Sequence, residues 1–294
     1  MELKDLLAGQ GYDPTAQKIV LLRHRPYEAN LARVMPWLIS ERADLFEAYQ
    51  SVPGRPQSSL RKADLVISFL GLRPGTAHFI GLYQVGDHHP IDVEGFWAQP
   101  ENQALRELGY DGLTEEYAEK AGTVLQFDFE LLPFYPEWRG KLVINFPPPE
   151  RSWFRWLHNG TFPVRAINEE SAFAAAPPTW SEIDLGFAEL AVLPTSWRQR
   201  LAEWRGIYLV FDERDGKSYV GSAAGSENLL GRWMSYGQDG HGGNRELRKR
   251  DPGSFRFTIL ERLAPDLPTD EVIAREANWK SRLHTRMPFG LNAN

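Results

Sequence analysis

Between residues 204 and 294 the chain places several reactive side chains at short intervals. Tyr208 lies in a strand-like run, Gly206-Ile207-Tyr208-Leu209-Val210-Phe211, and Tyr219 in a second, Lys217-Ser218-Tyr219-Val220-Gly221. Asp215-Gly216 between them is a strong hairpin turn, so the two phenols can be projected toward one site. The pattern then predicts a helix over 229–236, carrying Arg232 and, four residues on, Tyr236. A second helix, over 269–283, carries Glu276. A guanidinium can hold a phosphate oxygen through a forked, charge-assisted pair. A single carboxylate, with water and phosphate oxygens completing the shell, suits octahedral Mg²⁺. These are groups that hydrolysis of a phosphodiester needs: an activated water, charge neutralised at phosphorus, and help for the leaving oxygen. Each has an ordinary reading as well, as a half-buried sheet tyrosine or a solvated helix charge.

In their order, these residues resemble the GIY-YIG nucleases. Gly206-Ile207-Tyr208 matches the first half of the family's name, and Tyr219-Val220-Gly221 the second, with Val for Ile. Arg232 matches the family's helix arginine, and Tyr236 its Tyr or His one turn later. Glu276 matches the metal-ligand glutamate, and Asn292 the late asparagine. The resemblance covers residues 204–294, nearly a third of the chain. It implies catalytic roles for Tyr219, Arg232, Tyr236 and Asn292, and it makes Tyr208 the general base. It also implies Mg²⁺ on Glu276, with Mn²⁺ as a substitute. A free phenol titrates near about pH 10, so Tyr208 would need a cation beside it, Lys217 or Arg232. His241, in the Gly-rich loop 237–244, either touches the scissile phosphate or belongs to a surface turn. Arg245, Arg248, Lys249 and Arg250 form a basic cluster for a DNA backbone, or else a solvated helix face.

The rest of the chain has to position and direct these groups. A length of 294 residues allows two domains, each with its own core. A hydrophobic content of 42% with 24% charged residues excludes a disordered or fibrous chain. Cysteine is absent, which excludes disulfides, thiolate zinc sites and thiol nucleophiles. No apolar run reaches about 18 residues, so no membrane span is expected. The first residues lack a basic stretch before an apolar core, so no secretory signal is expected either, and the location expected is cytoplasmic. The net charge of −6 is unevenly spread: residues 204–294 hold 14 basic and 12 acidic side chains, the remainder 19 and 27. The net charge alone argues against a nucleic-acid binder, but the split points to a different partner for the C-terminal third, and a groove can be basic on an acidic protein.

Upstream, strands are predicted at 18–22, 64–70, 77–85, 124–132 and 142–146, with a helix at 36–49 that has Pro36 in its first turn. Short strands with helical turns between them favour a barrel-like α+β domain. The strand series at 64–85 resembles the PUA-like barrels, which include readers of modified bases. Residues 166–203, with Ala174-Ala175-Ala176-Pro177-Pro178, read as a connector. The expected whole is α+β. A PUA-like recognition domain fills 1–165, a connector 166–203, and a GIY-YIG α/β domain 204–294, its central antiparallel sheet flanked by helices. Trp153 and Trp156, flanked by Arg151 and Arg155, either stack on a flipped base or fill the end of the barrel. The expected function is a Mg²⁺-dependent, restriction-type endonuclease that reads sequence or a modified base in double-stranded DNA. A homodimer would meet both strands. The alternative is a repair-associated or non-catalytic DNA-binding protein that keeps the nuclease scaffold.

Overall fold

Runs of β-branched and aromatic residues become the strands of two sheets, one in each of the units Met1–Ala174 and Ala175–Asn294 into which the chain divides. The computed structural model describes residues 1–148, 153–174, 176–225 and 228–293. Arg151 and Ser152 lie outside the described residues.

The strands of the first unit are β1 (Ile19–His24), β2 (Leu65–Leu70), β3 (Thr76–Pro90), β4 (Leu125–Leu132), β5 (Leu142–Asn145), β6 (Phe154–Trp156) and β7 (Val164–Ile167). Their order is β6-β1-β2-β3-β5-β7, and β4 pairs with the second half of β3. β1 and β2 run parallel and are buried along their whole length, as continuous apolar strands covered on both faces must be. A parallel pair needs a crossover, which the helices Ala29–Glu41, Ala43–Ser51 and Gln57–Leu60 supply. Ile19, Leu21, Ile67, Phe69, Phe79 and Leu142 join the N-terminal helix Leu3–Gly9 in one core. The single helix expected at 36–49 is two helices. It breaks at Arg42, whose guanidinium turns to Asp44 and whose backbone leaves helical geometry (φ −131°, ψ 59°). Pro36 lies inside the first of them rather than in its first turn. The barrel-like α+β domain expected here is α+β with one mixed sheet, whose end strands β6 and β7 do not pair among the described residues.

The stretch 166–203 is not a connector. Its first residues lie in β7, which pairs with β5; Asp184–Gly186 forms the strand β8, and Thr195–Glu203 forms a helix. Ala and Pro dominate the text there, but Leu185, Leu190 and Leu201 are buried and anchor it in the second unit.

In that unit, β8 is followed by β9 (Arg205–Asp212), β10 (Ser218–Ala223) and β11 (Phe255–Leu263), in the order β10-β9-β11-β8 with every pair antiparallel. Side chains alternate across β9. Ile207 packs with Val220, Leu263 and Val272, the last from the helix Thr269–Arg282. Tyr208 meets Trp233 and Tyr236 of the helix Asn228–Asp239, and both of those meet Phe257. The architecture is α+β, with a helix on each face of a four-stranded antiparallel sheet.

β10 is an edge strand, and edge strands expose unpaired backbone groups. Here the C-terminal residues cover them. Asn292 accepts from the Val220 amide at 2.9 Å and donates to the Val220 carbonyl at 2.8 Å, while the Leu291 amide donates to Ser218 O at 3.0 Å. Asn292 was expected at the reacting centre; its buried carboxamide instead acts as one rung of a further strand. Asn292→Ala should therefore cost about 2–4 kcal/mol, since two buried backbone groups lose their partners. Urea unfolding checks this, and a change below about 0.5 kcal/mol would contradict the clamp.

Candidate active site

The two glycines of the hairpin motif are fixed by close approach. A Cβ on Gly206 would lie 2.6 Å from the Glu261 carbonyl oxygen across the β9–β11 pairing. Gly221 is the register partner of Tyr208, and a Cβ there would lie 2.5 Å from the Tyr208 hydroxyl. The Tyr208 ring therefore lies across the bare backbone of β10.

Tyr208 is fully buried. Its hydroxyl lies 3.1 Å from that of Tyr236 and accepts from Arg232 Nε at 2.9 Å. The Arg232 guanidinium also stands 5.4 Å from the centre of the Tyr236 ring, a cation–π distance. Among the described residues its two terminal nitrogens make no hydrogen bond, and Arg232 lines a cavity of about 390 Å³ with Ser222, Asn228 and Ser235. Burial pushes the Tyr208 phenol above its ordinary value, and Tyr219 adds to this; Arg232 and the Tyr236 hydroxyl only partly offset it. Burial likewise raises Tyr236. Tyr208, expected as the general base with a cation beside it, has Arg232 as that neighbour, but burial raises its phenol instead of lowering it. Tyr219 is half-buried, on the same face, with its ring 6.5 Å from that of Tyr208.

Glu276 does not line this cavity. It is tied to it through Ser222, whose hydroxyl donates to Glu276 Oε2, while Lys280 Nζ stands 2.7 Å from Oε1. Among the described residues no three His, Asp or Glu side chains gather into a metal cluster. One partly exposed carboxylate fits Mg²⁺, which keeps most of its waters.

Three expected contributors stand elsewhere. Lys217 donates from Nζ to the Pro288 carbonyl at 3.3 Å, and it faces Asp212, not Tyr208. Asp212 is four residues further along β9, roughly 13 Å from Tyr208. His241 accepts at Nδ1 from the Gly243 amide at 2.9 Å, within a turn whose Gly242 lies against the Tyr236 ring. Among the described residues it makes no hydrogen bond to Tyr208 or Arg232. The basic cluster divides: Arg245 and Arg248 are exposed, without a salt bridge among the described residues, Lys249 pairs with Glu246, and Arg250 is used inside the fold.

Arg250 belongs to a group that the sequence did not reveal. Asp212 is buried and accepts from Arg214, from Ser254 at 2.9 Å and from Arg250 at 2.5 Å. Arg250 also holds Asp215 in a two-point pair, both bonds 2.9 Å long. Burial alone would raise the Asp212 carboxyl; the hydrogen bonds from Arg214 and Arg250 win and hold it well below the usual range. Ser222 and Lys280 were also missed. The spacing of Glu276 and Lys280, four apart on a helix, was a usable signal for the second.

Trp153 and Trp156 do not form a pair. Trp153 lines a cavity with His24, Tyr49 and Tyr110, whereas Trp156 sits on β6 beside His158, ring centres 5.6 Å apart.

Neither a family model nor a curated protein matches the chain. Among solved structures it is similar to the catalytic domain of the homing endonuclease I-TevI, with 28% identity over 31% of this chain and 98% of that one, at a TM-score of 0.26. A single-residue mutant of the same intron endonuclease domain is 26% identical, over 31% of this chain and 94% of that one, again at a TM-score of 0.26.

Two outcomes follow from the geometry. Gly221→Ala should displace the Tyr208 ring and cost about 1–3 kcal/mol by overpacking, read from urea unfolding. A neutral substitution would show that the ring does not lie on this backbone. Asp212→Asn should be less stable than the parent at pH 7, with the gap closing in acid. The unfolded carboxyl titrates near about pH 4 and the folded one lower, so its stabilisation is complete above that pH and lost as pH falls further. Parallel stability curves from pH 7 to 2.5 would contradict the assignment.

Proposed function

We propose that the second unit is a GIY-YIG-type endonuclease domain that hydrolyses phosphodiester bonds in double-stranded DNA with Mg²⁺, or with Mn²⁺ in its place. The observation that carries this reading is the shared cavity. Arg232 reaches it with its terminal nitrogens unpaired among the described residues, and Ser222 links it to the Glu276 carboxylate. A forked cation in the cavity and a carboxylate one hydrogen bond away from it suit a phosphate and a hydrated divalent cation respectively.

Mg²⁺, when bound at Glu276, supplies charge neutralisation at the phosphate. The chain's own groups do the remainder. Arg232 binds a non-bridging phosphate oxygen as negative charge grows there, and it needs no reorganisation because Tyr208 and Tyr236 already fix it. Tyr208 is a positioning residue in this reading. Tyr219, the half-buried phenol on the same face, is placed to orient the attacking water. Arg245 and Arg248, exposed and without salt bridges among the described residues, suit contact with the DNA backbone.

The first unit, in the same reading, selects the target, as in a restriction-type enzyme, by sequence or by a modified base. A two-fold pair of chains would bring one active centre to each strand. Arg232 with unpaired terminal nitrogens among the described residues, and a Glu276 carboxylate reached from the same cavity through Ser222, favour this reading over a repair-associated or non-catalytic scaffold, which would need neither.

Duplex DNA should be cut in Mg²⁺ or Mn²⁺ and left intact in EDTA. Glu276→Gln should lower the rate at least about hundredfold while the protein stays folded by circular dichroism, with a lower unfolding midpoint because buried Lys280 loses its carboxylate. Cutting at the parent rate would remove Glu276 from the metal site. Tyr208→Phe should slow cleavage by about ten- to a hundredfold equally at every pH from 6 to 9. A flattened pH profile would instead restore the phenol as the base.

A further inference from the structure

The first unit contains a cavity of about 340 Å³ that the proposed hydrolysis does not use. That is within the range of roughly 300–1,000 Å³ usual for small-ligand sites. Its walls are aromatic. His24 at the end of β1 stands 5.6 Å from Tyr49 and 6.0 Å from Trp153, and Tyr49 stands 5.2 Å from Tyr110, all between ring centres. The helix Ala43–Ser51 brings Tyr49, and the segment just before β6 brings Trp153, whose carbonyl accepts from the Arg23 amide at 2.6 Å. The cavity is therefore attached to the central sheet rather than to loops alone.

Its rim is built as well. Tyr27 is 79% exposed, yet its hydroxyl donates to Asp111 at 2.6 Å, and Glu28 accepts from the Asp111 amide at 3.2 Å. A large aromatic ring is thus held outward at the mouth. Arg25, also exposed, belongs to the same lining. Inside, His24 Nε2 has no hydrogen-bond partner among the described residues, and burial pushes the imidazole down to about 3, so the ring is neutral at physiological pH. Flat apolar faces and polar edges are complementary to a flat heterocycle, and Arg25, at a mouth that also carries Glu28, can meet an anionic tail.

We propose that this cavity binds a single unstacked nucleobase, with Trp153, Tyr49 and Tyr27 offering ring faces and Arg25 receiving the attached phosphate. The proposal rests on the reading that the chain acts on nucleic acid. The base could come from a free nucleotide or from a strand that extrudes it, and one titration separates the two sources. Full-length Glu276→Gln protein, which should not cut, is titrated with the common nucleoside 5′-monophosphates. In parallel it is titrated with a duplex that carries 2-aminopurine opposite an abasic position.

Binding to the monophosphates, weakened roughly tenfold or more by Trp153→Ala and by Tyr27→Ala, supports a free nucleotide. Binding to the duplex alone, with a change in 2-aminopurine fluorescence that both substitutions remove, supports an extruded base. Tyr27→Ala keeps the test valid if Trp153→Ala destabilises the unit, because the Tyr27 ring is exposed. If neither probe binds, or if both substituted proteins bind like the parent, the proposal is overturned. Cleavage by the wild-type chain without base binding would overturn the cavity and leave the nuclease reading standing; base binding without cleavage would do the reverse.

Discussion

A guanidinium held between two buried phenols organises the second unit. Arg232 spends Nε on the Tyr208 hydroxyl and lays its plane near the Tyr236 ring, which leaves its terminal nitrogens directed to other work. Removing a cation from water is costly unless it is hydrogen-bonded, and here the half-buried group receives both a hydrogen bond and a ring quadrupole. Neutral phenols suit this better than phenolates would. Burial keeps both tyrosines protonated, so the cation is not neutralised by its own support.

Much of the surrounding architecture follows from placing those rings. Tyr208 needs a bare backbone to lie across, which Gly221 provides, and β9 needs a close neighbour at Gly206, where any Cβ would strike the Glu261 carbonyl. The helix carrying Arg232 and Tyr236 has to face that side of the sheet, and Trp233 with Phe257 anchors it there. β10 carries Tyr219 and Ser222 at the edge of the sheet, and it stays registered because Asn292 and Leu291 close its open side. The Asp212 cluster secures the far end of the hairpin, where Arg250 ties β9 to the turn residue Asp215. Sheet, helix and C-terminal tail thus converge on one cation.

The legible part of the chain was the part where function restricts residue type at short range. Tyr208, Gly221 and Arg232 lie in adjoining elements, and a hairpin followed by a helix brings them together almost automatically. Alternation along β9 and the spacing of the later helices could be read for the same reason. Asn292 was legible as a polar residue but not as a strand clamp, because its partner Val220 is 72 positions away. The Asp212 cluster draws on Arg214, Arg250 and Ser254, and nothing local distinguishes Arg250 from its neighbours Arg248 and Lys249. In residues 166–203 the run of Ala and Pro hid four buried leucines, Leu185, Leu190, Leu193 and Leu201. In the first unit, the strands at β1 and β2 were visible as apolar runs. Their parallel pairing was not, since it depends on the helical crossover between them. The Trp153–Trp156 pairing failed on geometry: the two rings sit in different surroundings, and only Trp153 reaches the cavity.

The most direct test of the Arg232 site is single-turnover cleavage of labelled duplex DNA in Mg²⁺ by the wild-type chain and by Arg232→Lys. Lysine keeps the charge but loses the fork and the hydrogen bond to Tyr208. The expected result is a chemical step slower by about a hundredfold or more at saturating protein, with DNA affinity changed less than about threefold. Equal rates for the two proteins, or no cleavage by the wild-type chain on any duplex, would contradict the assignment of this guanidinium to phosphodiester hydrolysis.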